Sequence, residues 1–190
     1  MGKIILDLEL RRKVFHLFAL SLWLVPIALL PTPITFLTFL VVLFINLLTV
    51  FGVGRERFSL YYFIIYKLER EKNYSKPAIQ ALWANLGIFL SFLAFGKGSA
   101  LVGVLVLAVG DAFAGLVGIR YGRTRIGNKS LEGSLAFFLS TFLVLLPFVG
   151  MMKALWISLF CALVEALPLK LDDNFTIPLT AGFLYKVFNP

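Results

Sequence analysis

Residues 99–119 read Ser-Ala-Leu-Val-Gly-Val-Leu-Val-Leu-Ala-Val-Gly-Asp-Ala-Phe-Ala-Gly-Leu-Val-Gly-Ile, an apolar run interrupted by one carboxylate, Asp111. A transmembrane helix needs roughly 20 mainly apolar residues. Comparable runs occur at 14–31, 34–51, 79–95, 132–149, 153–168 and, shorter, 176–188. The pattern predicts an all-α, polytopic integral membrane protein with about seven transmembrane helices, a single membrane-embedded domain over residues 1–190. Composition agrees, with 60% hydrophobic residues, 20 Phe and a mean hydropathy of +0.93 over 190 residues. A soluble domain of this length could not bury so much apolar surface in one core.

Proline, glycine and charge mark the breaks, at Pro31/Pro33, Gly52-Val53-Gly54, Gly96-Lys97-Gly98 and Pro168. Phe58 to Tyr66 is aromatic and apolar but too short to cross. With Lys67, Arg70 and Lys72 behind it, it suits a helix lying in the membrane interface. The basic start of the first run resembles an export signal, yet no small-residue cleavage site follows and more apolar segments do, so retention is expected. One Cys and one His exclude a disulfide framework and a Cys/His zinc centre, and Cys161 reads as packing.

Charge sets the expected orientation. With the N-terminus cytoplasmic, 15 of the 18 basic residues fall on the cytoplasmic side, and only Lys97, Lys153 and Lys186 lie outside. The positive-inside rule asks for this asymmetry. Much of the net charge of +8 is therefore a topology signal, with attraction to lipid headgroups or nucleotide phosphates secondary. Nucleic-acid binding has no motif behind it.

The polar residues of the spans gather at that same face. Asp111 lies about eight residues from the cytoplasmic end of its span, where a carboxylate costs up to on the order of 2.5–3.5 kcal/mol unless a cavity or partner receives it. Glu132 opens the next span, Glu165 closes the sixth, and Asp172-Asp173-Asn174 follows. His16, Asn46 and Asn85 share that side. Structural ion pairs with the basic loops would explain any one of these acids, whereas their shared depth favours a polar pocket. Asp111, Ala114, Gly118 and Gly122 lie near one helical face. Small residues there admit either a neighbouring helix or a ligand. The following loop, Arg120-Tyr-Gly-Arg-Thr-Arg-Ile-Gly-Asn-Lys-Ser-Leu-Glu-Gly133, offers cations, glycines and a helix N-terminus to a phosphate. It is not a Walker loop, because Asn128 separates Gly127 from Lys129-Ser130 and no strand is predicted before it.

These motifs, in order, resemble a known family. Asp111-x-x-Ala114-x-x-x-Gly118-x-x-x-Gly122, followed by Lys129-Ser130-x-Glu132-Gly133, resembles the signature of the CTP-dependent lipid kinases. These include dolichol (polyprenol) kinase, phytol kinase and the CTP-using diacylglycerol kinase, and are related to phosphatidate cytidylyltransferases. Arg12-Lys13-x-x-His16 is similar to their N-terminal basic motif, and Glu165-Ala-Leu-Pro168 through Asp172-Asp173-Asn174 to Pro178 to their C-terminal one. The resemblance implies transfer of the γ-phosphoryl group of CTP to a membrane lipid alcohol, such as dolichol or polyprenol, with Mg²⁺. It implies catalytic roles for Asp111, Lys129, Glu132 and Asp173, and nucleotide contacts from Arg12, Lys13, Gly118, Gly122, Lys129, Ser130, Gly133 and Asn174. Asp111, Glu132, Asp172 and Asp173 are the candidate Mg²⁺ ligands, since Mg²⁺ takes oxygen donors. His16, Asn85 and Glu165 are candidate substrate contacts, although His16 could equally bond a backbone carbonyl.

Two other readings stand beside the kinase. A cytidylyltransferase would join CMP to a lipid phosphate with the same nucleotide and metal. A transporter or binding protein would place polar residues through the midplane and on both sides, whereas here they are one-sided. A homodimer is a further partner the reading admits. The orientation is testable: single cysteines near Arg57, Arg125 and Asp173 should react with an impermeant reagent only from the cytoplasm. Labelling of the last two from opposite sides would sink the seven-span arrangement.

Overall fold

The computed structural model of the chain is built almost wholly of helices, and each apolar run falls on helix, the first divided between two. In order these are α1 (Gly2–Ser21), α2 (Leu24–Leu29), α3 (Thr32–Val50), α4 (Ser59–Leu68), α5 (Ile79–Phe95), α6 (Lys97–Tyr121), α7 (Leu131–Val149), α8 (Met151–Ala166) and α9 (Asp173–Phe188). The described backbone comprises residues 2–127, 129–168 and 170–189, with the side chains of residues 2–7 and 72 also outside the description. Asn128 of the loop after α6 therefore lies outside the described residues, as do the side chains of Lys3 and Lys72, two of the basic residues counted for topology.

Local chemistry explains the boundaries. Pro33 sits in the first turn of α3, where its missing N–H costs nothing. Gly96 and Gly150 have φ of +88° and +80°, and each joins two helices through a single left-handed residue. The loop after α6 forms a two-rung antiparallel ladder, β1 (Arg125–Ile126) with β2 (Lys129–Ser130), which the sequence pattern did not predict. It is short because Ser130 immediately caps α7, its hydroxyl accepting from Gly133 N–H at 3.1 Å.

Among the described residues, four stretches are long and apolar enough to cross a membrane: Leu8–Leu29, Thr32–Val50, Lys97–Tyr121 and Leu131–Val149. Side chains such as Phe18, Leu22 and Leu143 face outward, 64–71% exposed, as a lipid-facing surface requires. The protein is a multi-pass membrane protein. Three of the seven expected spans form shorter helices, α5 with 17 residues and α8 and α9 with 16. The first helix departs in the other direction. It starts at Gly2, so the basic motif expected ahead of the span lies on the helix itself.

The central helix is α6, which packs against α1, α5, α7 and α9. Buried apolar side chains from α1, α2, α3 and α5 to α9 meet around it, with Val104, Val106, Leu107, Phe137, Ile157 and Ile177 fully or almost fully enclosed. Glycines set the closest approaches. A Cβ on Gly103 would lie 2.9 Å from the Pro178 carbonyl, and one on Gly98 would lie 3.0 Å from the Tyr185 ring. So α9 runs antiparallel to α6 and begins near the level of Asp111. Lys97 Nζ donates to the Leu30 carbonyl, tying the far ends of α2 and α6 together. From there Asp111 is 14 residues along α6, about 21 Å.

Gly87 on α5 meets the start of α9, where a Cβ would fall 2.6 Å from the Phe175 carbonyl and 2.8 Å from Pro178 Cγ. Backbone cannot step aside as a side chain can. Gly87→Ala should lower thermal stability in detergent by about 1–3 kcal/mol, and an unchanged melting temperature would refute the tight α5–α9 contact.

Candidate functional site

The spacing of polar residues on α1 starts the site. Glu9, Arg12, Lys13 and His16 recur at +3, +4 and +7, one face of a helix. That face meets α6, the loop before α5 and the start of α9 around a cavity of about 630 Å³. Five basic side chains (Arg12, Lys13, Arg70, Arg125, Lys129) and five acidic ones (Glu69, Asp111, Glu165, Asp172, Asp173) line it. Charge within the cavity is thus balanced, and much of it is directly paired.

Three polar clusters organise it. In the first, Lys13 Nζ donates to Asp111 Oδ1 at 2.6 Å, across the α1–α6 contact. Gly115, one turn beyond Asp111, makes room: a Cβ there would collide with the Lys13 stem, 3.1 Å from Nζ. His16 Nε2 lies 3.9 Å from Asp111 Oδ2, and this buried nitrogen makes no hydrogen bond to any described group. In the second, Lys129 donates to Glu165 Oε1 at 2.9 Å and to Asp173 Oδ2 at 2.5 Å, while Ser134 donates to Glu165 Oε2 at 2.8 Å. Burial opposes charging Lys129, but Glu165 and Asp173 outweigh it and raise its pKa above the ordinary lysine value. Burial raises the Asp173 pKa, against the pull of Lys129.

The third cluster was not foreseen. Glu9 accepts from Arg12 Nη2 at 2.6 Å and from Arg70 Nε at 2.7 Å, and Arg12 Nη1 donates to Gln80 Oε1 at 2.7 Å. Nearby, buried Glu69 accepts from Ala78 N–H and Asn73 Nδ2, both at 2.9 Å. It thereby holds Ala78, a non-glycine residue at φ +59°, ahead of α5. The four-residue spacing of Glu9 and Lys13 was a usable signal for Glu9. Arg70 and Gln80 carried none, since they reach α1 from 61 and 68 residues away.

Of the residues singled out in the sequence, Arg12, Lys13, His16, Asp111, Gly118, Lys129, Ser130, Gly133, Glu165, Asp172, Asp173 and Asn174 line this cavity. Three do not. Glu132 is half-buried at the start of α7, where it accepts from Thr124 N–H at 3.1 Å. Asn85 is buried among helices, accepting from Trp23 Nε1 at 2.7 Å and donating to Asn46 Oδ1 at 2.5 Å. Gly122 lies beside Ser130. Helix packing decides the small-residue stripe as well. A Cβ on Gly118 would come within 3.0 Å of Ser130 Oγ, and one on Gly133 within 3.0 Å of the Ala114 carbonyl, so the stripe seats α7 on α6.

The acids do not form the four-carboxylate set expected for a metal. Among the described residues no group of three or more His, Cys, Asp or Glu could hold one. Asp172 is engaged as the cap of α9, its Oδ1 accepting from Asn174 N–H at 2.9 Å. Asp111 and Asp173 remain, two carboxylates on one cavity.

Fold and cavity define a membrane protein with a charge-balanced polar chamber at one end of its helical bundle. Comparison with known proteins narrows the class. The chain is 32% identical to the dolichol kinase of Schizosaccharomyces pombe over 96% of its own length, and 34% identical to the phytol kinase of Synechocystis over 45%. It is 36% identical to an uncharacterized protein of Methanocaldococcus jannaschii over 61% of its length. The chain spans 40% of the Schizosaccharomyces protein, 42% of the Synechocystis protein and 61% of the Methanocaldococcus one. Two of these relatives are thus named as kinases, one of dolichol and one of phytol. No family model and no solved structure matches.

Glu165 is only 5% exposed, and Lys129 is its one cationic partner among the described contacts. Lys129→Ala leaves a buried carboxylate with Ser134 alone. The loss should be about 3 kcal/mol, the low end for a buried pair because the lysine is partly exposed. Adding Glu165→Gln should restore most of it. A melting temperature untouched by Lys129→Ala would remove the pair from the stability account.

Proposed function

We propose that this protein is a lipid kinase that transfers the γ-phosphoryl group of CTP to the hydroxyl of a membrane isoprenoid alcohol, of the dolichol or polyprenol type. One observation carries the reading: five cations and five carboxylates share a single cavity beside apolar helix faces. Phosphoryl transfer asks for positioned charge rather than covalent help. Lysine and arginine neutralise the phosphate oxygens, and carboxylates receive a cation or a hydroxyl proton. The choice of CTP rests on the motif resemblance, and the isoprenoid acceptor on the names of the relatives.

In this reading Arg12 and Lys13 on α1 and Lys129 on β2, all lining the cavity, hold the phosphate chain. The acceptor oxygen forms a bond to the γ-phosphorus, the bond from that phosphorus to the β,γ-bridging oxygen breaks, and CDP leaves. The hydroxyl proton passes to Asp111, or to the unpartnered His16 Nε2 beside it. Asp111 and Asp173 suit Mg²⁺, which is commonly held by one or two carboxylates plus substrate phosphates. The bound ion would neutralise charge on the phosphates. In this reading the cavity faces the cytoplasm, which the charge asymmetry of the loops supports.

The purified protein, given CTP and Mg²⁺, should move γ-label but not α-label into a polyprenol, and to a lesser degree into phytol or diacylglycerol. Transfer of α-label to a lipid phosphate would make it a cytidylyltransferase. Asp111→Asn should reduce transfer by about 10²-fold or more and alter its Mg²⁺ dependence. Full activity with unaltered Mg²⁺ dependence would take Asp111 out of the site.

A further inference from the structure

Apolar side chains also line the cavity, some from helices and others, at Ile126, Leu167 and Leu171, from the segments between them. Phe15 on α1, Ile119 on α6, and Ile64, Ile65 and Leu68 on α4 border one side. Phe15, Ile64 and Ile119 are 43–53% exposed while lining it, so this wall continues to the outer, lipid-facing surface of the bundle. The helix that supplies three of these residues is the one too short to cross. Another side of it is fixed: Tyr62 donates to the Val53 carbonyl at 2.8 Å, and Arg55 stacks over Tyr66 at 4.7 Å. Ile64, Ile65 and Leu68 fall at i, i+1 and i+4, one face of α4, and that face is the one turned to the cavity.

The lining therefore changes from charged to apolar within one space. Lys13, Asp111 and His16 form the polar end, and Phe15 stands next to them on α1. An amphiphile fits such a gradient, with its polar atom among the charges and its hydrocarbon over the apolar wall. A free nucleotide or a small polar metabolite would leave that wall uncovered. We propose that the slot between α1, α4 and α6 receives the hydrocarbon chain of the acceptor, and that Phe15, Ile64, Ile65, Leu68 and Ile119 set which chains are accepted. This rests on the lipid-alcohol reading above and adds to it the path of the chain and the residues that select it.

Bulk in the slot should act on long chains more than on short ones. Ile64→Trp and Phe15→Trp should lower the ratio of kcat/KM for a polyprenol to that for geraniol by about tenfold or more. Leu139→Trp, on an exposed face of α7 away from the cavity, should leave that ratio as it is. In parallel, a diazirine-bearing hexadecanol is photolysed with the wild-type protein in detergent micelles and the labelled peptides are mapped. Labelling on α1 and α4 that excess unlabelled hexadecanol removes supports the slot. An unchanged ratio in both tryptophan variants overturns it, as does competable labelling confined to the Leu167–Leu171 side of the cavity. If the wild-type protein phosphorylates no alcohol, the kinase reading fails, and the labelling alone decides the slot.

Discussion

The Lys13–Asp111 pair is the constraint on which the architecture turns. A carboxylate about 21 Å along α6 from Lys97 lies within the span, and only a nearby cation or a polar chamber makes its charge tolerable. The lysine comes from a different helix, at 2.6 Å. To reach, its stem must cross the face of α6, and Gly115 is the residue that leaves the path open. Once α1 is drawn to α6 at this level, Arg12 and Glu9 follow on the same face and gather Gln80 and Arg70. The unconnected chain ends of the polar region are thereby joined by one helix register.

Neighbouring glycines on α6 consequently do different work. Gly115 faces α1 and a lysine, whereas Gly118 faces Ser130 and the start of α7, and Gly110 faces Phe137 and Thr141. The stripe Ala114, Gly118 and Gly122 thus reads as helix packing, with Ala114 and Gly118 also lining the chamber. Close α6–α7 packing has a functional corollary. It brings β2 down beside α6, so that Lys129 meets Glu165 and Asp173 from α8 and α9.

Much of this was legible because an intramembrane charge cannot be accidental. Asp111, the basic motif on α1, Lys129 and the acids around Asp173 stand out against apolar sequence, and all of them line one cavity. The apolar runs were legible for the same reason, and each falls on helix. What the sequence could not convey were partners distant along the chain. Arg70 looked like one more cytoplasmic charge until Glu9 gave it a position. Asn85 and Glu132 differ in the opposite way: their residue types suggested chemistry, but neither lines the cavity, and Asn85 bonds Trp23 and Asn46 while Glu132 accepts from Thr124. A polar residue near the right depth has a structural use whenever an unpaired group is close enough to claim it.

The paired clusters also bear on how such a chamber would hold a polyphosphate. Lys13 and Lys129 already have carboxylate partners, so an entering phosphate gains their attraction only by displacing Asp111, Glu165 or Asp173. A buried carboxylate left without its cation is costly, so phosphate alone exchanges one pairing for another with little net gain. A divalent cation alone faces the mirror problem, since it must displace the lysines. Arriving together, the cation takes the carboxylates and the phosphate takes the lysines, and no charge is left unpaired. Balanced charge in the cavity thus disfavours either component singly and favours the neutralised combination, which is the form in which nucleotides take part in phosphoryl transfer.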